Sequence, residues 1–564
     1  MQDRHDPAPE PSSPRIAGGR RPGDTWSLLG LVFHAGFGAL LALYVAFFVI
    51  KCAADIRCPY TLDYGEGLVL NEAVRLAQGE TLYNDYNHYP FVVSNYPPVF
   101  ILLGALGVKL FGISFAFGRS LSFAFMLAVG IMMVVLLRRC GIRLAPALGA
   151  PALLLSTTFV TMWSGFMRVD SLALLWVMAG LYFVLRGGKW LVVATLMMVA
   201  ASYTKQSMVA GLAAAAVYLW WTGRRREAAL FVVSWAAIGI AIFALLQVTS
   251  HGWFYHHMVT ANANPWDLLR ALTFIGIVVT DWPATVALAV GTAAFLVVSV
   301  WRTRTRHGRP GISGGEQLFL PYFAFAAVSS LTSGKAGATV NYMIEPLAAA
   351  LLLGAFGYQR LIDELSSRAK RMAWVLIALA FVGQAIMMWR PPSRWDPGRE
   401  YAAEGGRAAA ALFARTKGDI IGEPVGNIVL SGRTLLLDPA SFSQMSLAGV
   451  WDPTPLLRDI RRQRFVLVFT GFNPATGPDR FGSFGQGRWS GRIMQSILIR
   501  YRVTEVAGTT FFLTPIPGKR ARDPGGAAAL APEGAGGLTA HAKITEVAGA
   551  GCAPQQRAGR MSDD

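Results

Sequence analysis

Two carboxylates three residues apart, Asp63 and Glu66, lie in the most polar stretch of an otherwise apolar chain. That stretch, residues 58–100, reads CPYTLDYGEGLVLNEAVRLAQGETLYNDYNHYPFVVSNYPPVF. If a helix starts at Asp63, both acids lie on one turn and can face one cavity. A carboxylate so placed can take the proton of a hydroxyl nucleophile as general base. The same spacing also fits a capping box, in which Asp63 accepts from the first free backbone N–H groups and Glu66 reaches back. Spacing alone leaves both readings open.

Other ionisable residues fall at the ends of apolar runs, where an uncompensated charge is costly and points to function. Arg168 and Lys205 are the cations suited to a phosphate or another group gaining negative charge; their plainer role is interfacial snorkelling. Asp170, Asn341, Tyr342 and Glu345 are candidate substrate contacts, with helix capping as the alternative for each. His251, His256 and His257 stand beside Trp253, Phe254, Tyr255 and Trp266, a grouping that predicts an aromatic interfacial loop and no metal site.

What must position these residues is a membrane scaffold. Of 564 residues 53% are hydrophobic and 15% charged, with a mean hydropathy of +0.41, whereas soluble domains carry about a quarter charged residues. Apolar runs recur over residues 26–389 at lengths that cross a bilayer. The net charge of +18 comes from short clusters between these runs and not from one basic stripe, so positive-inside topology explains it better than nucleic acid. Arg138, Arg139 and Arg143, then Arg224, Arg225 and Arg226, then Arg302, Arg304, Arg306 and Arg309 are expected inside.

The charge pattern predicts about eleven spanning helices, with residues 51–115 as a long first outer loop. Residues 99–111 and 268–279 are too short to span and are expected in the outer interface. Residues 190–221 must cross twice, with Lys205 at the outer turn. Cys52 and Cys58 are close enough in the chain for a disulfide, which stays open.

The expected domains are a disordered cytoplasmic tail (1–25), a transmembrane module (26–390), an extracytoplasmic α/β domain (391–516) and a disordered tail (517–564). Within the α/β domain, residues 428–430, 435–437 and 465–469 read as short buried strands. Helical patterns cover 407–417, 455–463 and 492–501, and a hairpin is expected around Gly508.

The segments DYGEG, GETLY, NYPPVF and LFGISFAFGRSLS, followed by MRVDSLALLW, SYTKQS and GKAGATVNYMIEP, resemble in order and sidedness the GT-C glycosyltransferases. Within that superfamily the match is to the group of protein O-mannosyltransferases and the aminoarabinose transferase of lipid A. The resemblance implies a polytopic α-helical membrane enzyme that moves a sugar from a polyprenyl-phosphate donor to an extracytoplasmic glycan, lipid or protein acceptor, with inversion. The donor is its lipid-linked substrate, and no further cofactor is implied. In these families an acidic residue opening the first outer loop is the base. That position is Asp63 here, although the family often has two adjacent acids where this chain has Asp63 and Glu66 separated by Tyr64 and Gly65. Arg168 and Lys205 are then expected at the donor phosphate. The competing classes are a secondary transporter, which calls for midplane charges and inverted repeats not seen here, and a noncatalytic scaffold binding glycan through the α/β domain.

Overall fold

The computed structural model describes residues 22–305, 312–363, 368–388, 397–479, 483–485 and 487–518. Both expected tails, and Arg306 and Arg309 of the expected inner cluster, lie outside these residues apart from short stretches at 22–25 and 517–518.

The first half of the bundle runs α1 (Pro22–Arg57), α2 (Tyr64–Ala77), α3 (Val99–Phe111), α4 (Ala116–Arg139), α5 (Leu144–Leu155), α6 (Thr158–Ser164), α7 (Asp170–Arg186), α8 (Trp190–Ser202), α9 (Ala210–Trp221) and α10 (Arg225–Thr249). The second half adds the short α11 (Trp253–Tyr255), α12 (Leu268–Asp281), α13 (Pro283–Thr305), α14 (Gly314–Ser329), α15 (Ile344–Asp363) and α16 (Arg368–Met388). Among the described residues six helices, α1, α4, α10, α13, α15 and α16, are long and apolar enough to cross a membrane. The pair α5 and α6, bent by 70°, is a broken span or a re-entrant loop, and brings the number to seven if it is one span. The chain is thus a multi-pass membrane protein. Reaching eleven spans requires counting α7, α8, α9 and α14, which have only 17, 13, 12 and 16 residues.

Burial sorts the helices by neighbour. The α15 helix is largely enclosed by the bundle, whereas α10 exposes Leu230, Val233, Ile240 and Leu245 on an almost wholly uncovered surface suited to lipid. The two expected interfacial helices form as α3 and α12, and Lys205 lies in the turn between α8 and α9. Cys52 and Cys58 are both free thiols, Cys52 pointing its sulfur at the Thr161 carbonyl.

The bundle has two unlike ends. At one, Arg143 pairs with Asp363, Arg360 with Glu316 and Arg224 with Glu227. At the other, the loop after α1 meets the chain between α6 and α7, the α8–α9 turn and the segment before α15. There too packs the α/β domain.

That domain comprises α17 (Pro397–Arg415), β1 (Ile420–Gly422), α18 (Val425–Leu430), α19 (Pro439–Leu447), α20 (Thr454–Arg461), β2 (Leu467–Thr470), β3 (Ser483–Phe484), β4 (Trp489–Ser490), α21 (Gly491–Arg500), β5 (Tyr501–Ala507) and β6 (Thr510–Pro515). A four-stranded sheet has the order β1-β2-β6-β5, with β1 parallel to β2 and the other pairs antiparallel. The β5–β6 hairpin turns at Gly508, whose φ of +56 favours glycine. Two strand expectations need correction. Residues 428–430 are helical within α18, because a three-residue apolar run does not distinguish strand from helix. Residues 435–437 stay outside the sheet, Leu437 forming one isolated bridge to Phe91 of the first loop.

Candidate active site

The start of α2 is a capping box. Asp63 is the N-cap; its Oδ2 accepts from Glu66 N–H at 3.2 Å, and Glu66 Oε1 accepts from Asp63 N–H at 3.2 Å. The capping geometry therefore involves both acids, but their surroundings separate them.

Glu66 is fully buried and saturated. Its Oε1 also accepts from Leu62 N–H at 2.7 Å and Arg119 Nη2 at 2.6 Å, and its Oε2 accepts from Arg119 Nε at 3.0 Å and Met167 N–H at 3.2 Å. Arg119, equally buried, donates further to the carbonyls of Asp55, Cys58 and Tyr60 at 2.8, 2.5 and 2.7 Å. All five guanidinium protons are thereby used. This pair ties the loop after α1 to α4 and leaves Glu66 no free lone pair for a proton transfer.

Asp63 keeps a side chain about a fifth exposed, and its Oδ2 lies 3.4 Å from Arg168 Nη1. Burial holds its carboxyl above the ordinary carboxylate range, opposed by the Arg168 charge and reinforced by that of Glu66. A raised value makes Asp63 a stronger base. Gly65 permits the approach, since a β-carbon there would overlap the guanidinium.

Arg168 is fixed through its backbone, whose N–H donates to Ser122 Oγ at 3.1 Å and whose carbonyl accepts from it at 3.0 Å. Its Nε is buried without a hydrogen-bond partner, and its guanidinium lies 5.9 Å from the centre of the Tyr96 ring. A buried donor left without an acceptor is costly.

Lys205 differs. Its Nζ donates to Asp170 Oδ1 at 2.7 Å, an oxygen that also accepts from Asn341 Nδ2 at 2.8 Å, and the ammonium lies 4.4 Å from the centre of the Tyr342 ring. Asp170 already neutralises this cation. Glu345, buried behind it, accepts from Tyr322 Oη at 3.3 Å. Asp170, Lys205, Asn341 and Tyr342 are thus in direct contact with one another, and Asp63, Arg168 and Tyr96 form a second group. Arg168 acts on Asp170, and Lys205 on Glu345, through charge, while Glu66 stands beside Asp63 in its own ion pair with Arg119.

Tyr96 and Arg119 were not singled out from sequence. An arginine opening an apolar span is a signal in itself, because it must find a carboxylate on folding. His257, for its part, is a structural pin. Its Nδ1 accepts from Ser94 N–H at 3.0 Å and its Nε2 donates to the Asn84 carbonyl at 2.8 Å, between the rings of Tyr83 and Tyr86. Burial pushes the imidazole down to about 4, which keeps it neutral. No group of three or more His, Cys, Asp or Glu suited to a metal occurs among the described residues.

Comparison with known proteins adds a fold. No family model matches the chain, and no curated protein does. Among solved structures, ArnT from Cupriavidus metallidurans bound to undecaprenyl phosphate is similar with a TM-score of 0.53, covering 86% of this chain and 99% of that one at 14% identity. The apo state of the same ArnT gives 0.54, with 87% and 100% covered at 13% identity. At such identity the likeness establishes architecture alone: a helical multi-pass fold like that of ArnT, with a small α/β region at its C-terminal side.

Proposed function

We propose, with this fold as the premise, that the chain is a glycosyltransferase moving a sugar from a polyprenyl-phosphate lipid to an extracytoplasmic acceptor. The observation that carries the reading is the Asp63–Arg168 pair: a partly open carboxylate of raised basicity, 3.4 Å from a guanidinium with an unsatisfied buried donor. An acceptor hydroxyl attacks the anomeric carbon, its proton passes to Asp63, and the bond from that carbon to the phosphate oxygen breaks with inversion. The charge gathering on the departing polyprenyl phosphate is met by Arg168. ArnT in complex with undecaprenyl phosphate supports this lipid class for the donor.

Lys205 and Asp170 frame the phosphate side in this account, with Asn341, Tyr342 and Glu345 lining the sugar. Arg168→Met should raise the apparent KM for the lipid donor about 10- to 100-fold, the usual worth of a hydrogen bond to a charged group. Lys205→Met strands Asp170 and should chiefly lower stability. Donor titrations with a panel of polyprenyl-phosphate sugars check Arg168→Met, whose unchanged donor KM and kcat would remove that residue from the phosphate, and thermal melts in detergent check Lys205→Met.

Sidedness follows from the basic end. With Arg143, Arg224 and Arg360 on the cytoplasmic side, the Asp63–Arg168 pair and the α/β domain face outward across the cell membrane. A single cysteine introduced at exposed Asn87 should react with a membrane-impermeant maleimide in intact cells, and one at exposed Arg225 should not. The reverse pattern would invert the topology.

A further inference from the structure

The residue after the base belongs to a different contact. Tyr64 Oη donates to Asp438 Oδ1 at 2.6 Å and accepts from Ala440 N–H at 3.1 Å. Asp438 is the N-cap of α19 and fully buried, the same Oδ1 accepting from Ala440 and Ser441 N–H at 3.2 and 3.3 Å. Arg488 lies over the Tyr64 ring, 5.6 Å from its centre, and pairs with buried Glu423 at 3.1 Å. One turn further along α2, Gly67 packs on Gly426 of α18 so closely that a β-carbon would strike its backbone. Consecutive residues are therefore gripped from two sides: Asp63 by Arg168 of the bundle, Tyr64 by the α/β domain.

We propose that Tyr64 and Asp438 are positioning residues through which the α/β domain sets the orientation of Asp63, an inference that rests on Asp63 being the base. The capping box fixes the N-cap backbone relative to α2 but not the first turn relative to Arg168. The Tyr64–Asp438 clasp supplies that second constraint, at a residue whose backbone is joined directly to the base. A carboxylate displaced by about 1 Å from its productive place loses rate about 10²-fold without losing substrate. A domain serving only as a cover would show no such signature.

The groups facing Asp63 are Arg168 and Glu66, and those facing Tyr64 are Asp438, Glu423 and Arg488. Burial raises the Asp63 carboxyl, so loosening the clasp lets in water and lowers it; the acid limb of kcat then moves to lower pH.

The test uses the full chain in nanodiscs with whichever panel donor the parent consumes best. Tyr64→Phe should lower kcat about 10- to 100-fold, leave donor KM within about two-fold, and shift the acid limb downward. Asp438→Leu should lose kcat at least as far, and adding Tyr64→Phe to it should lower kcat no further, since the shared contact is already gone; the α19 cap that Asp438→Leu also removes shows in its melting temperature. Asp438→Asn keeps an oxygen for Tyr64 Oη and should retain most of the parental kcat. Parental kcat and an unmoved acid limb in Tyr64→Phe would overturn the proposal, as would a raised KM at unchanged kcat or additive losses. If Tyr64→Phe does not fold, the contrast between Asp438→Leu and Asp438→Asn decides by the same readouts. Failure of the base assignment shows separately, as an active Asp63→Asn.

Discussion

Asp63→Asn is expected to fold and bind lipid donor as the parent does and to lose transfer by about 10²- to 10⁴-fold, the usual worth of general-base catalysis. The amide keeps the size of the side chain and an oxygen for the Glu66 N–H, so the α2 cap survives. What disappears is the proton acceptor beside Arg168. The parental pH profile carries the same information. Because burial holds the Asp63 carboxyl above the ordinary range, activity on the acid side should fall at a higher pH than an exposed aspartate would give, as the base becomes protonated. Profiles of kcat in parent and variant check both points. An Asp63→Asn enzyme with the parental rate would leave Asp63 as a helix cap alone.

Arg119→Met should have the largest effect on stability. It leaves Glu66 buried with no other cation in contact among the described residues, and it strips the carbonyls of Asp55, Cys58 and Tyr60 of their shared donor. Breaking a buried pair by removing one partner costs about 3–5 kcal/mol. That is a large share of a typical folding free energy of about 5–15 kcal/mol. Glu66→Gln should cost less, because the amide oxygen still accepts one Arg119 hydrogen bond, and its rate loss should follow its loss of folded protein. Thermal melts in detergent, with activity normalised to folded protein, separate the two. A fully folded Glu66→Gln enzyme that does not turn over would move the base to Glu66.

Much of the scaffold was legible because bilayer physics writes it into composition. Residues 99–111, an apolar run interrupted only by Lys109 and preceded by Pro97 and Pro98, form α3 over the same bounds. Lys205 fell in a turn because the basic clusters on either side of residues 190–221 belong at one end. Local pattern failed where it was shorter than one period: three apolar residues at 428–430 became α18, packed against α2 through Gly67 and Gly426. In the site, residue types and chain order gathered the acids and cations that the fold brings together. The pairing did not follow from them. Arg119 meets Glu66 across 53 positions and Lys205 meets Asp170 across 35, and those contacts decide which charges are spent on structure. The distinction between a saturated Glu66 and a half-open Asp63 is a property of the third dimension.

The most direct test is mass balance on one turnover. Purified protein in nanodiscs, given labelled polyprenyl-phosphate sugar and a membrane extract as acceptor source, should release polyprenyl phosphate and a labelled extract product in equal amounts. The same incubation with Asp63→Asn should leave the lipid intact. Labelled lipid that persists unchanged with the parental protein across the whole donor panel, or that is consumed equally by both proteins, would contradict the account.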